Sequence, residues 1–318
     1  MTLERTFTHM VPKLWGSTDL RPWNAYHGEG AAAIGEIWMQ RTDQGASETA
    51  LLLKILFTDE PLSIQVHPND AYARSIGLQH GKSEAWYILS ANPGAGIALG
   101  LKRQVGPDEL RASIDSGSVA DLVQWRSVKN GEAILVSAGT VHAIGAGIVA
   151  VEIQQRSSTT FRLFDYGRQR ELDPEHAVAA ASGERAARQS PARKLTEERT
   201  LLVTDQHFML ERLQLPAGSD WELCAPTETW LFVLEGRGWV GELDVCRSEA
   251  IFLEADSARI RMRSSGMQCL VAYVGAKANP NLLRTLEGED AGIPKSDQDL
   301  SFLQPDLKLA IAAPGPRA

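Results

Sequence analysis

The chain has 318 residues, of which 43% are hydrophobic, and a formal net charge of -8. This is the composition of a globular protein with one large or two medium domains, and its acidic balance argues against a nucleic-acid partner, which needs a clustered basic face. No apolar run reaches the roughly 18 residues that cross a bilayer, and the first residues hold no apolar core or cleavage site, so a cytoplasmic protein without a membrane partner is expected. Cys224, Cys246 and Cys269 follow no CxxC spacing. They read as reduced, mostly buried thiols and not as metal ligands.

In chain order, short apolar runs bounded by Gly, Pro or Asp predict strands at 35–39, 50–57, 62–66, 85–89, 133–136 and 148–153. Pro107, with Asp108 and Glu109 behind it, predicts a helix to about residue 116, and a second helix is expected over 119–125. A third helix is expected over 174–181. The charged stretch 183–200 reads as a linker. Beyond it, runs at 208–215, 229–234, 239–243, 250–253, 259–262 and 269–274 recur about every ten residues, the spacing of an antiparallel sandwich or barrel.

The expected fold is therefore mainly β: two jelly-roll barrels in tandem with a few short inserted helices. The first would span 1–182, with the helical insertion at about 107–125. The second would span 201–275, and 276–318 would be a tail packing over the body. Gly94-Ala95-Gly96 and Gly145-Ala146-Gly147 open no helix in a βαβ unit, so they read as turns and not as nucleotide-binding loops. Trp38, Trp86 and Trp125 are expected in the core.

Chemistry is concentrated in the first barrel. Gln65 and His67 are two apart, so on an extended strand they point to one face. Pro68 places His67 at the strand's end. Glu84 precedes the apolar run Ala85-Trp86-Tyr87-Ile88-Leu89, where an unpartnered buried carboxylate would cost several kcal/mol and a metal removes that cost. His142 follows the turn Gly139-Thr140-Val141. A Gln, two His and a Glu aimed into one barrel make a four-coordinate site for a borderline cation such as zinc. Two His and one carboxylate also suit ferrous iron, but iron-type cupins carry His-x-His where this chain has Gln65-Val66-His67. The amide favours a Lewis-acid role over redox chemistry. The second block holds Glu228 and Glu235 near no histidine, so it cannot repeat the set, and a structural role is expected for it.

These motifs resemble type I phosphomannose isomerase (mannose-6-phosphate isomerase), a zinc enzyme of the cupin superfamily. The resemblance is carried by Pro12-Lys13-Leu14-Trp15-Gly16, Gly35-Glu36-Ile37-Trp38, Leu53-Lys54-Ile55-Leu56, Ser63 to Pro68, Gly81-Lys82-Ser83-Glu84-Ala85-Trp86, Gly139 to Ala143, Glu152-Ile153-Gln154-Gln155 and Thr160 to Arg168. It implies interconversion of mannose 6-phosphate and fructose 6-phosphate around one Zn²⁺, by a monomer or homodimer. By position, Gln65, His67, Glu84 and His142 match the family's zinc ligands, and Arg162 its catalytic arginine. Lys82 matches a lysine proposed for proton transfer or phosphate contact, and Ser63 and Lys54 match positions around the substrate. Lys54 reads equally as an outward-facing strand lysine, and Arg156 and Arg168 as surface or ion-pair residues. Two departures stand out: the large helical insertion of longer members is absent, and Ser158 stands where some relatives have an acid. A cupin iron dioxygenase would instead predict an apolar cavity without phosphate-holding cations, and a non-catalytic sugar-binding cupin would bind a phosphosugar without exchanging its C2 proton.

Overall fold

A computed structural model describes residues 2–286 apart from Glu29 and Gln44, with Arg263 described by its backbone alone. As expected, the chain is mainly β with a few short helices. From residue 287 the expected tail lies outside the described residues. Among the described residues, no helix is long and apolar enough to cross a membrane.

Two sheets build the first half. One is six-stranded and antiparallel, in the order Phe7–Ser17, Ile34–Gln40, Leu51–Thr58, Ile148–Gln155, Glu84–Ala91, Ala133–Val136. The other is five-stranded, in the order Phe161–Phe164, Ile64–Val66, His142–Ile144, Gly96–Leu101, Val123–Ser127. Between them packs a core that includes Trp86, Ile88, Ile97, Ile134 and Ile144. The helices Pro107–Ser116, Val119–Leu122 and Pro174–Ala180 cover the back of the five-stranded sheet through Leu110, Ile114, Val119 and Ala177.

The second half is a curled ten-stranded sheet whose interior holds Leu213, Leu223, Leu231, Val233 and Ile251. Its other face packs on the six-stranded sheet, where Leu51, Leu53, Ile55 and Phe57 meet Leu210, Trp230, Phe232 and Phe252. Leu51–Thr58 is consequently buried at every position. Its odd-numbered residues face the second half, and Leu52, Lys54 and Leu56 face the first barrel's interior, since side chains alternate across a strand. The same alternation divides Trp230 and Phe232 from Leu231 and Val233. Thr2–Arg5 pairs with Ala250–Glu254, so the N-terminal residues belong to the second half's sheet.

Several expectations need correction. The helix expected over 119–125 stops at Leu122, and Val123–Ser127 is an edge strand on which Trp125 is 38% exposed. Trp38 is half-buried, so of the three tryptophans expected in the core only Trp86 lies there fully. Gly96 begins a strand. The runs 229–234 and 239–243 join largely into one strand, Thr229–Val240, because the Gly at the expected turn, Gly236 (φ 86°), supports a bulge and the strand bends through it. The runs 259–262 and 269–274 likewise join in Asp256–Val274, where Gly266 (φ 66°) takes the bend. Cys269 alone of the cysteines is buried, and all three are free.

Glu228 ties the halves together. Its buried carboxylate accepts from the Ala50 and Leu51 backbone N–H groups at 2.5 and 2.8 Å and from Trp230 Nε1 at 2.9 Å. Removing the carboxylate leaves donors unpaired at the start of the central strand. Glu228→Ala is expected to lower the unfolding free energy by about 2–4 kcal/mol at unchanged m-value in urea. A loss under about 0.5 kcal/mol, the range of an inert surface change, would show that these bonds do not hold the halves.

Candidate metal centre and active-site cavity

Three elements bring the candidate ligands together. His67 follows Ile64–Val66, and His142 opens the neighbouring strand, opposite Gln65. Glu84 opens its strand on the facing sheet. Gly81 allows this approach, because a Cβ there would lie 2.5 Å from the Pro68 carbonyl oxygen and the Asn69 carbonyl carbon. The chain after His67 and the chain before Glu84 thus pack in backbone contact.

His67, Glu84 and His142 form a group that can hold a metal ion, with their donor atoms all within 4.8 Å of one another. All three are essentially fully buried. Each imidazole is oriented from behind: His67 Nδ1 donates to the Thr159 carbonyl and His142 Nδ1 to the Thr140 carbonyl, both at 2.8 Å. These bonds place the protons on Nδ1 and leave the Nε2 lone pairs facing inward, the arrangement of a metal-ligating histidine. Burial, reinforced by the Lys82 charge, pushes His67 down to about 3, and burial also lowers His142, so both rings are neutral near pH 7. Burial acts in the opposite direction on Glu84, but the Lys82 ammonium overrides it and holds the carboxyl well below its usual range. Glu84 Oε1 is buried with no hydrogen-bond partner, 3.4 Å from His142 Nε2. Two neutral imidazoles and an ionised carboxylate with a spare oxygen fit a divalent cation that takes nitrogen and oxygen ligands.

Gln65 adjoins this group, its Nε2 3.3 Å from His142 Nε2, while its Oε1 accepts from Ser63 Oγ at 3.0 Å. Turning the amide over would present Oε1 to the metal position and let Nε2 donate to the same hydroxyl. Lys82 is the least exposed of the cavity's lysines and arginines: Nζ donates to Glu84 Oε2 at 2.5 Å and stands 3.0 Å from His67 Nε2. Arg162 is the cross-strand partner of Gln65 on its other side, so one row across three strands carries Arg162, Gln65 and His142. Its Nε is buried without a hydrogen-bond partner. Burial, with the charge of Arg170, lowers the guanidinium from its usual range, though an arginine stays cationic.

Gln65, Lys82, Arg162, Ser63 and Lys54 are among the residues that line a cavity of about 1030 Å³, and His67, Glu84 and His142 are buried behind that lining. Lys54 is not outward-facing. Its Nζ donates to Gln154 Oε1 at 2.7 Å and pairs with Glu152 at 3.0 Å, with Glu36 at 3.9 Å. Burial raises Glu152, and Lys13 with Trp38 Nε1 engages Glu36. Arg156 reaches Thr49 and Glu48 at the cavity wall, and Arg168 pairs with Asp165. Glu152 and Gln154 escaped the sequence-based choice of site residues, although the signal used for Gln65 and His67 was present: two polar residues two apart on an apolar strand. His207 and Gln206, which the second half contributes to the cavity wall, carry no local signal.

No protein-family model matches the chain. A mannose-6-phosphate isomerase of Streptococcus mutans is 36% identical over 196 residues, which cover 59% of this chain and 61% of that protein. Mannose-6-phosphate isomerase ManA of Bacillus subtilis is 46% identical over 119 residues, 37% of this chain and 38% of that one. The match thus spans less than two thirds of either relative. Among solved structures, mannose 6-phosphate isomerase from Bacillus subtilis superposes with a TM-score of 0.74 at 24% identity over 86% of this chain and 100% of that one. A variant of phosphomannose isomerase from Salmonella typhimurium does so with a TM-score of 0.68 at 16% identity, over the same shares.

Because His67, His142 and Glu84 all titrate below their ordinary values, the folded protein binds fewer protons than the unfolded chain as pH falls. Stability is full above the ordinary histidine value of 6.5 and is lost below it. Chelator-treated protein should therefore show a thermal midpoint that falls steadily from about pH 7 to about pH 4.5. A flat midpoint across that range would mean that the imidazoles are not held neutral.

The chain, in short, resembles mannose-6-phosphate isomerases in sequence and has the fold of the solved phosphomannose isomerases.

Proposed function

We propose that this protein is a zinc-dependent aldose–ketose isomerase that interconverts mannose 6-phosphate and fructose 6-phosphate through an enediol. The observation that carries the proposal is the buried His67–Glu84–His142 group beneath a cavity whose wall holds an unpartnered arginine. Gln65 supplies the fourth ligand through its amide oxygen. A bound zinc ion supplies Lewis-acid polarisation of the sugar oxygens, and the ligand set favours it over a redox metal.

The reaction moves a proton between C1 and C2, which needs a group able to carry it and a cation to face the developing oxyanion. Lys82 suits the first task, since its ammonium lies against the candidate ligands Glu84 and His67 and its side chain lines the cavity. Arg162 suits the second, because no carboxylate or carbonyl of the described residues takes its hydrogen bonds. Ser63 steadies the Gln65 amide and lines the substrate cavity. Lys54, already paired with Glu152, acts on the substrate as part of that pair. The charged, polar lining, in which Lys13, Arg156, Arg170 and Lys82 stand in ion pairs and Arg162 in none, suits a phosphorylated sugar better than the apolar substrate of an iron dioxygenase. We assign this chemistry to the barrel of 1–182, with 201–275 as a metal-free support, in a cytoplasmic enzyme with free thiols.

A coupled assay that follows fructose 6-phosphate formed from mannose 6-phosphate tests the proposal. Turnover should disappear with chelator and return with Zn²⁺; metal-loaded protein that forms no product would rule the activity out. Lys82→Met should lower kcat by about 10²–10⁴-fold with KM little changed. A raised KM at unchanged kcat would reassign Lys82 to phosphate contact.

A further inference from the structure

The segment Gly81–Ser83 carries Lys82 and leads into Glu84, the first residue of its strand, yet as a loop it has no ladder of its own. Its backbone N–H groups are held from three directions. Gly81 N–H donates to Asp70 Oδ1 at 2.8 Å, Lys82 N–H to the Pro68 carbonyl at 2.9 Å, and Ser83 N–H to Gln155 Oε1 at 2.8 Å. The Ser83 carbonyl in turn accepts from the Gln155 backbone N–H at 3.0 Å. Two of the three donors thus depend on side chains, and those side chains are joined: Gln155 Nε2 donates to the same Asp70 Oδ1 at 3.1 Å. The far side of the Gln155 amide meets His207 Nδ1 at 3.3 Å, a ring set by the second half, where the His207 N–H donates to Asp205. Gln155 is buried, so any of these groups left unpaired cannot turn to water.

We propose that Gln155 and Asp70 are positioning residues, a two-residue clamp that fixes the Gly81–Glu84 backbone and through it aims Glu84 at the metal position and Lys82 at the substrate. Both also line the cavity, but the bonds named here run to the loop, and metal affinity is the readout that a mere substrate contact would not move. Gln155 is placed for this because it ends the Ile148–Gln155 strand, the strand that also carries Glu152 in the cavity. The clamp makes site geometry depend on contact with the second half, since His207 backs the Gln155 amide. Its effect on Lys82 rests on the isomerase assignment, whereas its effect on Glu84 is readable as metal affinity alone.

The test measures Zn²⁺ affinity by competition with a chromophoric chelator, alongside kcat and KM, in Gln155→Met, Asp70→Ala and Asp70→Asn. Losing the clamp should weaken Zn²⁺ binding by about 10–100-fold, as supports of metal ligands do, and lower kcat about tenfold with KM within about twofold. Asp70→Asn keeps an oxygen for both donors and should restore affinity and kcat toward the parent values. Wild-type affinity and kcat in folded Gln155→Met and Asp70→Ala would overturn the proposal. So would equal losses in Asp70→Asn and Asp70→Ala, which would point to charge instead of hydrogen-bond geometry. Should Gln155→Met fail to fold, the half-exposed Asp70 pair decides alone. A parent protein that binds Zn²⁺ but isomerises nothing would defeat the functional assignment and leave the affinity comparison valid.

Discussion

The structure is organised around a carboxylate that water cannot reach. Glu84 is fully buried on an apolar strand, and burial of a lone charge costs more than any single contact of a domain returns. It remains ionised because the Lys82 ammonium donates to one of its oxygens, while its other oxygen and the two imidazole Nε2 lone pairs converge as donors for a cation. Those lone pairs face inward because the Thr159 and Thr140 carbonyls accept the Nδ1 protons on the far side of each ring. The group cannot form from one sheet. His67 and His142 come from the five-stranded sheet and Glu84 from the six-stranded one, so closure of the barrel and assembly of the site are one event.

The second half supports that closure without repeating it. Leu51–Thr58 lies between two cores, and a strand buried on both faces has no register in which an apolar residue is exposed. Glu228 anchors its first residues, and its odd-numbered side chains fill the interface with Trp230 and Phe232. Lys54 is thereby held at a fixed height in the first barrel, where Glu152 and Gln154 from the adjacent strand meet it. The second half thus braces the first barrel, and through His207 and Gln206 it supplies a wall of the cavity.

Much of this is legible in the sequence for local reasons. Alternation and turn residues locate the strands that carry the site, and two-residue spacing places Gln65 and His67 on one face. Glu84 stands out because a carboxylate heads an apolar run. What stays illegible depends on distant partners. Thr2–Arg5 has no pattern that assigns it to the second half's sheet, since its partner strand lies some 250 residues away. The bulges at Gly236 and Gly266 look like turns, because the same freedom of a glycine serves both. The helix expected through Trp125 yields to edge pairing with Gly96–Leu101, a tertiary effect that local propensity does not contain. Lys54 could not be assigned a face until the cores on both sides of its strand were known.

The charge balance of the cavity narrows what it can receive. Six lysines and arginines line it, and three are matched there by carboxylates: Lys13 with Glu36, Lys54 with Glu152, Lys82 with Glu84. Arg170 is bound to Asp165, and Arg156 leans on Thr49 and Glu48. Among the described residues, Arg162 is the one of the six that donates no hydrogen bond and forms no ion pair, and its Nε is already dehydrated. The rest of the guanidinium lines the cavity, so this cation remains available to negative charge that enters it. The floor is electrostatically satisfied by the protein itself. Among the described lining residues the unmatched positive charge is therefore one guanidinium, one strand away from Gln65 and two from His142.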